Sequence, residues 1–414
     1  MQSSARARLG TSYWRVWLAT TLSNLGDGLT LVAMPLLAAS FTRDPITIAG
    51  IGVFTPLAKI VVSLAGGVLV DRADRRRLML GADLLRFAVM LGFTALVVAD
   101  DVSFVAVYAV VFVLATGEFV FDASSIAVVR DVVSPARLTS ANGWLYAAED
   151  GAQDLAAPPL AAILFTVAAW VPFLADTLTF AISAVLLLFL RGRFRAERTE
   201  STGITRDLHE GFRFIRHRLF FRTALVVWTT LGIALGLTLA TLVLFALRTL
   251  GGDELGFALL ITAGAVGIVL GNLATSRLEQ AIRPAGVLVG AVLVGGVALL
   301  GTGLAGVIAV AAAAQVVWGV GFGLANTEMV SVRQRLVPDE LLGRVTGIFG
   351  LASSVGMVLG SIAGGVLTDL GDPRVPLLVA GVVQVGAGLA WWLLLRISGG
   401  VDATPEVNSD VARG

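Results

Sequence analysis

The sequence predicts an all-α membrane protein in which twelve transmembrane helices form two pseudo-symmetric six-helix bundles. Three observations lead to this fold class: a highly apolar composition, a series of apolar segments of membrane-spanning length, and an internal repeat half the chain long. Of the 414 residues, 57% are hydrophobic and only 14% are charged, which lies outside the usual range for soluble domains. Lipid hydrocarbon is therefore the expected surroundings of most of the chain.

Twelve apolar segments follow one another along the chain, and each is long enough to cross a hydrocarbon core of about 30 Å as a helix. They lie at about 13–38, 47–70, 78–98, 103–129, 139–168, 171–190, 223–247, 255–276, 285–304, 307–332, 342–368 and 375–396. The domains predicted from them are an N-terminal six-helix bundle at 1–190, a cytoplasmic linker with an amphipathic helix at 191–222, a C-terminal six-helix bundle at 223–397 and a disordered tail at 398–414.

The arginines predict how the helices are oriented in the membrane. All but one of the 30 Lys and Arg residues are arginine, and the single lysine is Lys59. With twelve spans, only Arg43, Arg248 and Arg374 fall on one side, whereas the loops on the other side are rich in arginine. Because short arginine-rich loops are retained in the cytoplasm, we expect a multi-pass protein of the cell membrane with both termini cytoplasmic.

The stretch between the two predicted bundles has the apolar spacing of an interfacial helix. Leu208, Phe212 and Ile215 recur at helical spacing within polar sequence, so one face is apolar and the arginines can point towards lipid headgroups. A soluble regulatory domain is the alternative interpretation, but about thirty residues are too few to build one.

The two halves of the sequence repeat each other weakly but in a consistent register. Residues 133–138 after segment 4 match 337–341 after segment 10, and 171–174 match 375–378, in each case about half the chain later. Many secondary transporters are built from such repeats, with one repeat per helical bundle. The C-terminal half also carries four glycine pairs of the small-xxx-small type, which predict close helix packing rather than ligand binding. They are Gly232/Gly236, Gly267/Gly271, Gly319/Gly323 and Gly356/Gly360.

A short basic loop between segments 2 and 3 carries the pattern G-x-L-x-D-R-x-x-R-R. Its characteristic positions are Gly67, Asp71, Arg72, Arg75 and Arg76. The Asp71 carboxylate could accept hydrogen bonds from the first turn of a neighbouring helix or pair with Arg75. The pattern resembles the signature loop between helices 2 and 3 of the major facilitator superfamily, although Asp74 stands where that family usually has Gly. The resemblance implies the major facilitator fold and a conformational role for this loop.

Further stretches resemble the drug-exporting branch of that superfamily, which includes macrolide and siderophore exporters. They lie at 25–27, 83–86, 141–142, 210–214 and 342–345. Two features depart from the branch: segment 4 lacks a mid-membrane arginine, and the Gly-Pro…Gly-Gly antiporter motif of helix 5 is reduced to Ala-Pro-Pro-Leu-Ala-Ala at 157–162. The resemblance also implies that helices 1, 4, 7 and 10 line a central cavity.

Charged residues within the apolar segments are the candidate functional residues, because each costs about 2.5–3.5 kcal/mol at mid-membrane on insertion scales. The predicted proton-coupling and cavity residues are Asp27, Lys59, Glu118, Asp122, Asp150 and Asp154. Glu118 and Asp122 share one helix face, as do Asp150 and Asp154. Two acids so close in a low-dielectric site should not both ionise.

Lys59 and the other intramembrane charges have specific predicted contacts or roles. Lys59, near mid-depth, could pair with one of the acids or extend its amine towards the interface. Asp83 and Arg86 are three residues apart, so we expect a structural pair or a brace for the basic loop. Asp176 is expected to be structural, and Glu328 is the only acid well inside a segment of the second half.

From these features we expect a proton-coupled secondary transporter that exports a lipophilic small molecule by alternating access. The alternatives are a siderophore or lysophospholipid carrier and, in a different class, a non-transporting membrane receptor or scaffold. We expect no enzyme activity, no cofactor, no metal site and no nucleic-acid partner, and a monomer in the bilayer. The chain has no cysteine, which excludes disulfides and thiolate metal sites, and no phosphate loop for ATP.

Overall fold

The computed structural model describes residues 9–134, 137–190, 194 and 204–397, except for the side chains of 64–72, 139 and 204–207. Within these ranges the chain is all-helical. The predictions about the tail at 398–414 and about the contacts of Gly67, Asp71 and Arg72 concern residues or side chains outside those that the structure describes.

Six transmembrane helices precede the linker. They are α1 (Thr11–Phe41), α2 (Pro45–Arg72), α3 (Arg75–Val98), α4 (Phe104–Val132), α5 (Leu138–Glu149, Asp150–Ala156 and Ala157–Val167) and α6 (Val171–Leu188). The linker helix, Ile204–Arg216, follows. The second six are α7 (Leu219–Leu244, extended by Phe245–Thr249), α8 (Glu254–Leu278), α9 (Pro284–Leu304), α10 (Ile308–Leu336), α11 (Asp339–Asp369) and α12 (Arg374–Ile397).

The predicted class, twelve transmembrane helices in two six-helix bundles, is confirmed. Eleven of the helices in the described ranges are each long and apolar enough to cross a membrane. The twelfth, α5, crosses as a composite of three shorter pieces because its middle piece, Asp150–Ala156, is π-helical. Pro158 and Pro159 follow after Ala157 and lack the N–H donors that a regular α-helical ladder would need, which favours the irregular turn.

Contacts between Cα atoms divide the chain into two compact units. The first consists of residues 1–201 together with 252–262, at the start of α8, and the second of 202–251 with 263–414. The domain boundaries stated from the sequence remain a prediction. In the first unit, α3 packs on α4 and α6, and α1 packs on α5 and α6. This arrangement buries Asp83 and Arg86 of α3 among the helices.

The glycine pairs of the second unit make two close helix crossings. A Cβ atom on Gly232 or Gly236 of α7 would lie 2.2 Å from a backbone carbonyl of α11, and one on Gly356 or Gly360 of α11 would lie 2.2 or 2.1 Å from a carbonyl of α7. Gly267 and Gly271 of α8 meet Gly319 and Gly323 of α10 in the same reciprocal way. The predicted role of these pairs in helix packing is confirmed.

Candidate functional site

Arg86 on α3 is the centre of a buried ion-pair network in the first unit. Its side chain is completely buried, and Nη1 donates to Oδ2 of Asp27 on α1 at 2.9 Å. Nη2 donates to Oδ1 of Asp83 at 2.7 Å and to the Ser23 hydroxyl at 2.8 Å. One guanidinium therefore compensates two carboxylates and links α1 to α3, because the planar group presents several N–H donors in fixed directions.

Neighbouring residues fit this network closely. A Cβ on Gly117 of α4 would lie 2.8 Å from Cγ and Cδ of Arg86, so the absence of a side chain there makes room for the arginine. The rings of Phe121 and Phe180 lie 5.1 and 4.4 Å from its Cζ atom and provide cation–π contacts. The Ser183 hydroxyl on α6 donates to Oδ2 of Asp83 at 2.5 Å. The predicted Asp83–Arg86 pair is present, and it extends to Asp27.

Asp176 on α6 is held separately against α1. The Thr30 hydroxyl donates to its Oδ2 atom at 2.6 Å, and the side chain is fully buried. A Cβ on Gly26 would lie 2.1 Å from Oδ1 of Asp176, so the absence of a side chain at this position lets the backbone of α1 lie against the carboxylate. These contacts agree with the structural role expected for this acid, because each one fixes how α1 packs on α6.

The two acids of α4 lie on the side that meets α5. Nε2 of Gln153 donates to Oε1 of Glu118 at 3.2 Å, and both Glu118 and Asp122 are partly exposed. Gln153 belongs to the π-helical turn, and its backbone carbonyl packs on α1 at Gly28, where a Cβ would approach it to 2.3 Å. The irregular turn thus brings the backbone of α5 against α1, while the Gln153 side chain reaches α4. π-Helical turns occur frequently at functional sites.

Other acids surround Glu118 and Asp122. Glu149, Asp150 and Asp154 all lie on α5 within four residues of Gln153, whose side chain contacts Glu118. Asp150 is exposed, whereas Glu149 and Asp154 are partly buried. The structure therefore brings most of the predicted coupling residues into one electrostatic neighbourhood on α4 and α5. We call Glu118, Asp122, Glu149, Asp150 and Asp154 the acidic cluster.

Lys59 on α2 contacts an aromatic ring. Its Nζ atom lies 4.8 Å from the centroid of Phe119, the residue next to Glu118. The sequence left open an ion pair with an acid or extension of the amine towards the interface, and the contact that the structure shows for Lys59 is this cation–π contact. Lys59 still contributes positive charge near the acidic cluster.

The described part of the basic loop has structural contacts. Nη1 of Arg75 forms an ion pair with Oδ2 of Asp131 on α4 at 2.9 Å. Arg76 donates to the backbone carbonyls of Leu187 and Leu188 at 2.8 and 2.7 Å, so it caps the C-terminus of α6. Asp74, the departure from the family pattern, accepts a hydrogen bond from the backbone N–H of Arg77 and is the N-cap of α3. The roles predicted for Asp71 and Arg72 stay predictions.

Sequence reasoning did not find the Asp27–Arg86 contact or the contribution of Gln153. The charge balance of the sequence could have indicated the Asp27–Arg86 contact. Arg86 and Lys59 are the only cations well inside the first six segments, so each buried acid there must pair with one of them, take up a proton or contact water. No comparable signal pointed to Gln153, because its position depends on the π-helical turn.

A multi-pass helical membrane protein with a charged network in its first bundle has the architecture of a secondary transporter. The Major Facilitator Superfamily model matches residues 16–354 and, in a second match, 229–411. The chain therefore belongs to this superfamily, and the resemblance seen in its sequence is confirmed.

Similar proteins include two exporters and a solved transporter. The multidrug efflux pump Tap of Mycolicibacterium fortuitum is 24% identical over 391 residues, covering 89% of this chain and 94% of the relative. Macrolide efflux protein A of Streptococcus pyogenes is 21% identical over 365 residues, covering 86% and 89%. The crystal structure of nucleoside transporter NupG superposes with a TM-score of 0.76 over 94% of this chain and 100% of its own, at 12% identity. The last likeness shows the fold alone.

Proposed function

We propose that this protein is a proton-coupled exporter of lipophilic small molecules such as drugs, antibiotics or secondary metabolites. It works by alternating access in the cell membrane with both termini in the cytoplasm. Membership of the Major Facilitator Superfamily supports transport, and the efflux pump and macrolide exporter among its relatives support outward drug transport. The direction and the driving ion are our inference.

The excess of acids in the first unit is the observation that supports proton coupling most directly. Eight acids lie well inside α1–α6, against two cations, Lys59 and Arg86. They are Asp27, Asp83, Glu118, Asp122, Glu149, Asp150, Asp154 and Asp176. A low-dielectric interior does not hold so many uncompensated negative charges, so protons, water or a cationic substrate must balance them. A site that exchanges a proton for a substrate needs this chemistry.

The geometry divides these acids into two groups. Asp27 and Asp83 are compensated by Arg86 and buried, which suits a positioning role. Among the described residues, the cations that the contacts place beside the acidic cluster are Lys59, next to Phe119, and Arg86, next to Gly117, and the members of the cluster are partly buried or exposed. We therefore assign proton exchange to Glu118 and Asp122 first, with Asp150 and Asp154 as the next candidates. Asp27 belongs to the ion-pair network of Arg86.

Export from everted membrane vesicles tests the proposed function. We impose a proton gradient that makes the interior of the vesicles more acidic than the medium. Under this gradient we expect vesicles that contain this protein to take up ethidium or a macrolide. Uptake should stop when an uncoupler dissipates the gradient and should be absent from vesicles without the protein. Uptake that an uncoupler leaves unchanged would contradict proton coupling, and no gradient-dependent uptake of either probe would contradict drug export.

Two alternatives remain as outcomes of that experiment. A siderophore or lysophospholipid carrier would move its own substrate and neither probe. A receptor or scaffold would move none of them, and it has little need for acids inside its helices. The intramembrane acids therefore favour a transporter over that class.

A further inference from the structure

The second unit contains a charged group that the proposed function does not use. Near the end of α10, Arg335 contacts two carboxyl groups: Nη2 lies 3.1 Å from Oε1 of Glu328 on the same helix and 3.3 Å from Oε1 of Glu279, just after α8. The Glu328 side chain is completely buried, whereas Glu279 and Arg335 are 30% and 50% exposed. Two acids therefore share one cation, and one of the acids has no access to water.

The buried carboxyl has an unsatisfied oxygen. Oε2 of Glu328 has no hydrogen-bond donor among the described residues, although a buried carboxylate oxygen normally has one. Oε1 of Glu279 and Oε1 of Glu328 contact the same Nη2 atom of Arg335, at 3.3 and 3.1 Å, so the two carboxyl groups lie close together, but two ionised carboxylates cannot donate to each other. A single proton between them supplies the missing donor and leaves one net negative charge to pair with Arg335.

The first half of the chain provides an internal comparison. Arg75 and Asp131 form an ion pair 56 residues apart, and Glu279 and Arg335 form another with the same separation and the charges exchanged. Positions 75 and 279, and likewise 131 and 335, are 204 residues apart, which is the register of the internal repeat. The same shift places Glu328 opposite Ser124, whose hydroxyl donates to the carbonyl of Val120 within its own helix. The buried second acid, Glu328, is thus peculiar to the second half.

Other charges near Glu328 are few. Arg333 on α10 lies over the ring of Phe349 on α11, with its Cζ atom 5.3 Å from the centroid. The α9 helix has no charged residue, and within α8 the charged residues are Glu254 and Arg277. Those of α11 are Asp339, Glu340, Arg344 and Asp369, of which Arg344 pairs with Glu210 of the linker helix. Arg335 is the one cation that the structure pairs with Glu328 among the described residues.

We propose that Glu328 and Glu279 form a second proton-binding site, in which one proton bridges the two carboxyl groups and Arg335 holds the pair together. The site lies where α8 and α10 remain in contact beyond their glycine crossing, next to a hydrogen bond from the Thr327 hydroxyl to Oδ1 of Asn272 at 2.8 Å. Loss of the proton leaves two facing carboxylates and weakens this contact between the helices. The proposal does not rest on export or on the acidic cluster.

Infrared difference spectroscopy of the purified full-length protein tests the site directly. Between acidic and alkaline buffer, the wild-type protein should lose a carboxylic-acid C=O band that is absent from Glu328→Gln. The matched control is Asp131→Asn, which removes the acid of the corresponding ion pair in the first half and should leave that band in place. Persistence of the full band in Glu328→Gln would overturn the proposal.

Two further measurements separate the other outcomes. Glu279→Gln should shift the Glu328 band and its titration midpoint, since the bridging partner is lost; an unchanged band and midpoint would overturn the shared proton. Addition of sodium or potassium at constant pH should leave the carboxylic-acid band unchanged. If either ion converts this band into a carboxylate band, the site binds an alkali cation and the proposal is wrong. If Glu328→Gln fails to fold, the Glu279→Gln spectrum alone decides between the outcomes. None of these readouts depends on transport.

Discussion

Arg86 is the residue at which the charges of the first unit converge. It contacts Asp27, Asp83 and Ser23, and two phenyl rings flank it. Such a network fixes the rotation of α1 and α3 because the guanidinium must meet both carboxylates at once. At this scale the chain uses arginine where lysine, with one compact ammonium, could not reach both partners in a fixed geometry.

Removal of this guanidinium should therefore destabilise the protein strongly. Arg86→Ala leaves two buried carboxylates without their cation, and breaking buried pairs in this way costs about 3–5 kcal/mol. We expect a clear decrease in the thermal unfolding temperature of the detergent-solubilised protein. Arg86→Lys should recover only part of the loss. An unfolding temperature equal to that of the wild type in Arg86→Ala would show that the network carries little stability.

The same residues show how far sequence reasoning reaches at this scale. The Asp83–Arg86 pair follows from a spacing of three on one helix, so it could be predicted. The Asp27–Arg86 pair could not, since it depends on how α1 and α3 are rotated against each other. Lys59 shows the same limit: the sequence left open an ion pair with an acid or extension of the amine towards the interface, and packing of α2 on α4 places the amine over Phe119.

Helix boundaries were largely predictable because the thickness of the hydrocarbon core sets the length of each apolar run. Segment 5 was predicted as a span but not as an interrupted helix, since nothing in its hydropathy reveals the π-helical turn at Asp150–Ala156. The glycine pairs were predicted to pack helices, but their partners were not. Which helix a small-residue stripe meets depends on the arrangement of the whole bundle.

The crossing of α7 and α11 offers a stability prediction with an internal control. Gly356→Ala would place a Cβ 2.2 Å from the carbonyl oxygen of Thr229, so the two backbones must separate. We expect a loss of about 1–3 kcal/mol, the usual cost of overpacking. Gly347→Ala, on the same helix but facing open space, should be neutral or stabilising by up to about 1 kcal/mol, since alanine favours a helix.

Thermal unfolding of both variants in the same detergent measures this difference. A Gly356→Ala variant as stable as Gly347→Ala would mean that the close approach of α7 and α11 does not contribute to stability. The comparison isolates packing, since both changes add one methyl group to the same helix.

At the scale of the whole molecule, the arginine distribution gives a testable orientation. The chain has no cysteine, so single cysteines can be introduced without a background. A membrane-impermeant maleimide added to intact cells should label Thr42→Cys, between α1 and α2, and should leave His217→Cys, after the linker helix, unlabelled. In everted vesicles the pattern should reverse. Labelling of His217→Cys in intact cells would contradict the proposed topology.

Proton movement in proteoliposomes tests proton exchange by the acids of α4 most directly. With the wild-type protein and a pH-sensitive dye inside the vesicles, addition of ethidium should produce proton flux in the opposite direction to the substrate. The double variant Glu118→Gln/Asp122→Asn should bind ethidium and show no coupled flux. Asp101→Asn, which removes an exposed acid between α3 and α4, should behave like the wild type. Coupled flux that persists in the double variant would contradict the assignment of proton exchange to α4.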